Sequence, residues 1–268
     1  MINKKNAKVT LVGAGPGDVD LITVKGVKAL GTAAVVLYDA LINRELLAYA
    51  PNAIKIFVGK RKGFHRYSQD EINEIIVKNA FEHGHVVRLK GGDPFIFGRG
   101  GEEIDYVASF GIETEVVSGI SSSVSVPANL GISLTKRRVS ESLWILTGTT
   151  SERQLSEDIK LAAQSSATVV ILMGMSKLTE ITALFKESGK SHTPTVIIQN
   201  GCTENQQVGL GTIETIVDVA TEKGLSSPAI IVIGEVVKES VKFRSFFEEI
   251  NQHVLKHAAI DKRAITNK

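Results

Sequence analysis

Short runs of β-branched and aliphatic residues recur along this chain with helix-like stretches between them, and that alternation constrains the fold most. Lys8–Val12 (KVTLV), Ala34–Tyr38 (AVVLY), Ile54–Val58 (IKIFV) and His85–Leu89 (HVVRL) read as strands of the first half. They are apolar rather than alternating, the pattern of strands covered on both faces. Between the last two, Ser68-Gln69-Asp70-Glu71 is a capping box, with Tyr67 and Ile72 at the staple positions. Ile72, Ile75, Ile76, Asn79 and Ala80 continue at helical spacing, and only Asn79 interrupts the apolar face. Strands alternating with helices predict an α/β fold with a largely parallel sheet.

The second half repeats the alternation. Trp144–Thr147, Thr168–Met173, Thr195–Gln199, Gln206–Gly211 and Ala229–Gly234 are strand candidates; helices are expected near Ser156–Gln164, Lys177–Lys186 and Ile213–Thr221. A boundary is expected near Phe110–Gly119, where the strand TEVV runs into the small-residue stretch GISSSVSVP. The expected organisation is an N-terminal α/β domain over 7–115, a C-terminal α/β domain over 120–240 and a helical extension over 241–268. In that extension Phe243, Phe246, Phe247, Ile250 and Val254 fall at helical spacing among mixed charges, which suits a docked terminal helix better than a membrane-surface one. Ligands of open α/β sheets collect at the carboxyl ends of strands, so two such domains are expected to share a ligand cleft.

Composition excludes several classes. Lys plus Arg number 31 and Asp plus Glu 29 in 268 residues, a formal charge of +2, without the basic excess of most nucleic-acid binders. Cys202 is the one cysteine, which rules out an internal disulfide, a CxxC pair and a thiolate zinc site; no metal is expected. The polar start MINKKNAK does not read as a signal peptide, and no apolar run approaches a membrane span. A cytoplasmic protein with neither nucleic-acid nor membrane partner is the expectation.

Gly13-Ala14-Gly15-Pro16-Gly17-Asp18 follows the first strand directly. A dinucleotide fingerprint would place a third glycine where Asp18 stands, and Pro16 removes a backbone donor, so a nicotinamide oxidoreductase is disfavoured. What remains is a tight turn that brings backbone close to some ligand, or a plain strand-to-helix connection. Asp39 ends the second strand candidate and is open to three readings: a ribose-binding acid, a carboxylate available for proton transfer, or a helix cap. The stretches Ile54–Arg66 and Val116–Ser140 contain no acid and carry Lys60, Arg61, His65, Arg66, Lys136 and Arg137. Such stretches are either solvated surface or positive regions for an anionic ligand, and Arg binds carboxylate as readily as phosphate.

Most informative is LKGGDPFIFGRGGEE, Leu89 to Glu103. Gly-Gly-Asp-Pro after a strand forces a turn, and a structural turn alone would not need the long continuation. With VGAGPGD, LYD, VGKRKGFH, LTKR, LMGM, QNGC and SPAIIVIGEVV in order, the chain from about Lys8 to Val237 resembles the tetrapyrrole methylases. Within them it is most similar to the branch that acts on uroporphyrinogen III.

The resemblance implies two α/β domains, a homodimer, and S-adenosyl-L-methionine as methyl donor with S-adenosyl-L-homocysteine as product. It implies C-methylation of uroporphyrinogen III at carbons 2 and 7 to precorrin-2, on the way to siroheme or cobalamin. Carried over residue by residue, it assigns cofactor contacts to Pro16, Gly91, Gly92, Asp93, Ile96, Ser121, Ser122, Met173, Gly201 and Ala229. Acid/base roles fall to Asp39 and Lys60. Arg61, His65, Arg66, Arg99, Lys136 and Arg137 are candidates to grip the carboxylates of the macrocycle. Ser121-Ser122 stands where the family pattern has Thr-Ala, and Lys136 where it has His. A sibling methylase acting on a later precorrin, and a module that binds the cofactor with reduced catalysis, are the alternative readings.

Overall fold

The computed structural model describes residues 7–59 and 67–249, which divide into two compact units. One comprises the chain up to Ser125 together with Cys202–Glu204; the other comprises Val126–Gly201 and the chain from Asn205 onward.

The first unit is built on strands β1 (Lys8–Gly13), β2 (Val35–Tyr38), β3 (Ile54–Phe57), β4 (His85–Lys90) and β5 (Glu113–Val117). All neighbours are parallel, in the order β3-β2-β4-β1-β5. Helices α1 (Val24–Gly31), α2 (Gln69–His83) and α3 (Gly100–Ser109) cover it. Val9, Leu11, Val35, Leu37 and Val86 pack with Ile72, Ile76 and Ala80 of α2 and Val107 of α3. Val12, Val36, Val87 and Leu89, from the opposite pleat, pack with Leu30 of α1 and Leu46 of a short 3-10 helix. Cover on both faces explains the unbroken apolar runs. The exception is β3, whose Ile54 is 48% exposed because β3 is an edge strand.

The predicted capping box is present: Glu71 N–H donates to Ser68 Oγ at 3.2 Å, and Ser68 N–H to Glu71 Oε2 at 2.6 Å. Asn79, the interruption in the apolar face, is buried and donates from Nδ2 to the Ile75 carbonyl one turn back. The connection from β1 leads across the sheet to β2, whereas that from β4 leads the other way to β5. Right-handed crossovers therefore put α1 and α3 on opposite faces, and the carboxyl ends of β1 and β4 form a topological switch point.

The second unit contains β6 (Leu143–Thr147), β7 (Thr168–Leu172), β8 (Pro194–Gln199), β9 (Gln207–Thr212) and β10 (Ala229–Ile233), ordered β6-β7-β10-β8-β9. Helix α4 (Ser122–Asn129) carries the chain from the first unit into it. Helices α5 (Asp158–Gln164), α6 (Leu178–Glu187) and α7 (Ile216–Glu222) bury Ile159, Ile181, Phe185 and Ile216 against Val169, Ile171, Ile197 and Ile231 of the sheet. Here the largely parallel expectation is corrected. Only β6 and β7 run parallel; β7–β10, β10–β8 and β8–β9 are antiparallel. The stretch 200–206 between β8 and β9 holds no helix, and a parallel pair needs a crossover of about a dozen residues or more.

After the short helix α8 (Val236–Glu239), Ser240 Oγ donates to the Leu130 carbonyl at 2.9 Å, and Lys242 Nζ to the Asn129 carbonyl at 3.2 Å. Phe247 is buried, so the beginning of the terminal segment is docked on its own unit. Ile250 and Val254 lie outside the described residues.

Candidate active site

Three backbone segments converge at the carboxyl ends of β1, β4 and β5. Ala14 N–H donates to the Lys90 carbonyl at 2.7 Å, and Gly15 and Gly92 exchange hydrogen bonds of 3.2 and 2.7 Å. Glycine is required at the contact. A Cβ on Gly13 would lie 2.4 Å from the Gly119 Cα, and one on Gly119 would lie 2.2 Å from the Gly92 carbonyl oxygen. Asp93 fastens the arrangement: its Oδ1 accepts from Phe95 N–H at 2.8 Å and its Oδ2 from Gly119 N–H at 3.0 Å. Ser121 Oγ bonds the hydroxyl of Ser123 at 2.8 Å, and the Ser121 carbonyl accepts the amides of Val124 and Ser125 in α4. The carboxylate of Asp93 and the hydroxyl of Ser121 thus shape the cradle from within, while Phe95, Ile96 and Phe97 are exposed.

The segment after β2 closes one side of the cradle. A Cβ on Gly91 would meet the Leu41 Cβ at 2.9 Å, and Asn43 Nδ2 donates to the Gly17 carbonyl at 3.0 Å. Asp39 stands at the start of this segment, its Oδ1 accepting Leu41 N–H at 3.1 Å. The cap of the following 3-10 helix is Asn43 rather than Asp39. Asp39 Oδ2 lies 3.6 Å from a terminal guanidinium nitrogen of the buried Arg88. Arg88 Nε and Lys90 Nζ in turn meet Glu103 Oε1 at 3.3 and 2.9 Å, and Gln69 Nε2 donates to the same oxygen at 3.0 Å. Burial, and next the Arg88 charge, push the Lys90 ammonium below its ordinary pKa. Reading by motif missed this cluster. Its signal was available: Arg88 and Lys90 are two cations on one pleat of an otherwise apolar strand, and such a pair needs a buried acid.

In the second unit, Met173 follows β7, Gly201 lies just beyond β8, and Ala229 begins β10. Ala229 pairs with Gln199 and Ile230 with Leu172, so the antiparallel run of β10 brings its first residue to the edge where β7 and β8 end. Met173 is half exposed with φ of 54°, and its carbonyl accepts from Thr149 Oγ1 at 2.8 Å. A Cβ on Gly148 would meet the Gly174 Cα at 2.4 Å, a second glycine contact like that of the first unit.

The basic candidates divide. Lys60, Arg61, His65 and Arg66 lie outside the described residues. Arg99 holds Glu102 through two nitrogens, at 2.9 and 2.5 Å. Lys136 pairs with Glu239 at 2.5 Å, so a stretch without acids in sequence is not without them in space. Arg137 is exposed. Among the described residues no cluster of His, Cys, Asp and Glu is arranged to hold a metal, and no helix is long and apolar enough to cross a membrane.

Two α/β sheet units, each with close glycine contacts at the carboxyl ends of its strands, and an acid near those of the first, are the architecture the comparisons with known proteins identify. Residues 8–217 match the family model of the tetrapyrrole (corrin/porphyrin) methylases. The chain is 48% identical over 233 residues to the uroporphyrinogen-III C-methyltransferase of Methanocaldococcus jannaschii, covering 86% of this chain and 96% of that one. A Thermus thermophilus uroporphyrin-III C-methyltransferase solved with S-adenosyl homocysteine superposes with a TM-score of 0.74 at 34% identity, over 86% of this chain and 99% of the other. A cobalt precorrin-4 methyltransferase of cobalamin biosynthesis superposes at 0.78 with 26% identity, over 88% and 98%. The chain belongs to the tetrapyrrole methylases.

Proposed function

We propose that this protein transfers methyl groups from S-adenosyl-L-methionine to carbons 2 and 7 of uroporphyrinogen III, giving precorrin-2 and S-adenosyl-L-homocysteine. The observation that carries the reading is the packing of the Asp39 segment onto Gly91, which puts a carboxylate beside the partly accessible main chain of Gly91 and Gly92. The main chain at Gly91 and Gly92 is partly accessible and Ile96 beside it is exposed, which suits a cofactor held on backbone and apolar surface. In this reading Pro16, Gly91, Gly92, Ile96 and Ser122 hold the cofactor from one unit, with Asp93 and Ser121 shaping the backbone there. The resemblance adds Met173, Gly201 and Ala229, residues of the second unit, as cofactor contacts. The bound cofactor supplies an electrophilic methyl carbon on a sulfonium.

The residues supply alignment and proton handling. A pyrrole carbon of the reduced macrocycle is already enamine-like, so it needs orientation more than activation. Orientation contributes roughly 7–11 kcal/mol, against about 10²–10⁴-fold for a single acid or base. Asp39 accepts the proton that the macrocycle loses after the new carbon–carbon bond has formed. Lys60 donates a proton or binds a substrate carboxylate. Arg61, His65, Arg66, Arg99, Lys136 and Arg137 grip the carboxylate rim. The protein acts as a cytoplasmic homodimer in this reading, with its product passing to siroheme or cobalamin synthesis.

Anaerobic incubation with uroporphyrinogen III and methyl-labelled S-adenosylmethionine tests it by counting methyls per macrocycle. Two are expected, with turnover lost in Asp39→Ala. No transfer alongside tight S-adenosylhomocysteine binding would discard the substrate and leave a methylase with another acceptor.

A further inference from the structure

The long continuation after Gly-Gly-Asp-Pro finds its use in the buried cluster behind Asp39. Gly100 N–H donates to the Pro94 carbonyl at 3.0 Å, and a Cβ on Gly100 would lie 2.5 Å from that oxygen. Arg99 takes a left-handed conformation, φ 59°, and α3 begins directly after it. The sharp entry divides two neighbouring acids. Glu102 faces outward to Arg99, while Glu103 turns inward and is fully buried.

Glu103 is held in the first turn of α3, where the helix dipole favours an anion. Three donors from two elements reach one of its oxygens: Arg88 Nε, Lys90 Nζ and Gln69 Nε2. Its other oxygen has no hydrogen-bond partner among the described residues. Arg88 also donates to the Leu89 carbonyl at 3.1 Å, so its guanidinium is fixed by Glu103, by main chain and by Asp39. In this cluster Arg88 and Lys90 face Glu103 and Asp39, two cations against two carboxylates. Arg88 is the group that joins the partly exposed acid to the buried one.

We propose that Glu103 is a positioning residue for Asp39, acting through Arg88 and balanced by Lys90. It touches neither cofactor nor substrate. It locks the guanidinium so that the Asp39 carboxylate is presented in one orientation beside the Gly91 cradle. A neutral side chain at 103 leaves two buried cations with Asp39 as the remaining carboxylate of the cluster, and Arg88 is then drawn toward Asp39 and displaces it.

The inference rests on the reading of Asp39 as the proton acceptor, and the two are separable in a double-mutant cycle of Glu103→Gln with Asp39→Asn. Kinetics of methyl transfer, S-adenosylhomocysteine affinity by calorimetry and thermal unfolding are measured on each protein. For Glu103→Gln we expect kcat to fall by about 10- to 100-fold, the scale of an ångström-sized misplacement, with KM and S-adenosylhomocysteine affinity little changed. The double variant should then be no slower than Asp39→Asn alone, because coupled groups are non-additive. Multiplicative losses in the cycle, or an unchanged kcat in folded Glu103→Gln, would overturn the proposal. An unchanged kcat in Asp39→Asn would overturn the reading of Asp39 instead. If Glu103→Gln does not fold, Lys90→Met combined with Glu103→Gln removes the charges as a pair, which buried sites tolerate better, and the same kcat loss is expected.

Discussion

Gly13 and Gly119 touch main chain to main chain: a Cβ on Gly119 would lie 2.6 Å from the Gly13 Cα. The obstacle is backbone on both sides, with the Gly92 carbonyl as a third wall, so no rotamer change relieves it. Gly119→Ala should therefore lower stability by at least about 1–3 kcal/mol, the usual range for overpacking, and weaken S-adenosylhomocysteine binding. Gly101→Ala is the control. Nothing lies within 4 Å of its added Cβ and it sits in α3, so it should gain up to about 1 kcal/mol. Urea unfolding midpoints of the two variants check the contrast.

Glu115 gives a defined acid dependence. Its carboxylate meets Lys25 at 2.7 Å and Lys8 at 2.9 Å, and those hydrogen bonds, Lys25 first, hold its pKa at about 2 against the ordinary 4.5. A carboxyl that titrates lower folded than unfolded contributes stability that is complete above 4.5 and is lost as pH falls toward about 2. Because the three side chains are partly exposed, the contribution should be no more than about 1 kcal/mol and should shrink at high salt. Denaturant unfolding of the protein and Glu115→Gln across that pH window should show the curves converging at the acid end.

Ser68 is a smaller, local test. It satisfies an amide at the start of α2, and Glu71 returns the bond. Ser68→Ala should cost about 1 kcal/mol, within the range for lost caps, and shift the thermal midpoint while leaving kcat unchanged.

Lys136 and Glu239 test the carboxylate grip. Lys136 is exposed and Glu239 partly so, and breaking the pair should change stability by less than about 1 kcal/mol. If Lys136 binds a substrate carboxylate, Lys136→Gln should raise KM with kcat unchanged, the signature of uniform binding. Glu239→Gln, which frees the ammonium, should lower KM. Steady-state kinetics at low and high salt separate these outcomes from a purely structural pair.

Much of this protein follows from its sequence alone. Lys8–Gly13 and Val35–Tyr38 are strands rich in β-branched and aliphatic residues covered on both faces, and the Ser68–Glu71 box starts α2 because its bonds close within four residues. These are local preferences, readable without knowing what else is nearby. The antiparallel placement of β10 is different, since Ala229–Ile233 has the same composition whichever direction it runs. Direction was decided by the partners β7 and β8, and it alone brings Ala229 to the edge that Met173 and Gly201 share. The same holds for charge. Lys136 finds Glu239 from 103 positions away, and Glu103 finds Arg88 across 15, because a buried or crowded ion selects its partner by distance in space. Sequence determined the elements and the family. Tertiary structure decided which charges meet, because pairing energies depend on separation and burial, and neither is set until the sheet has closed around them.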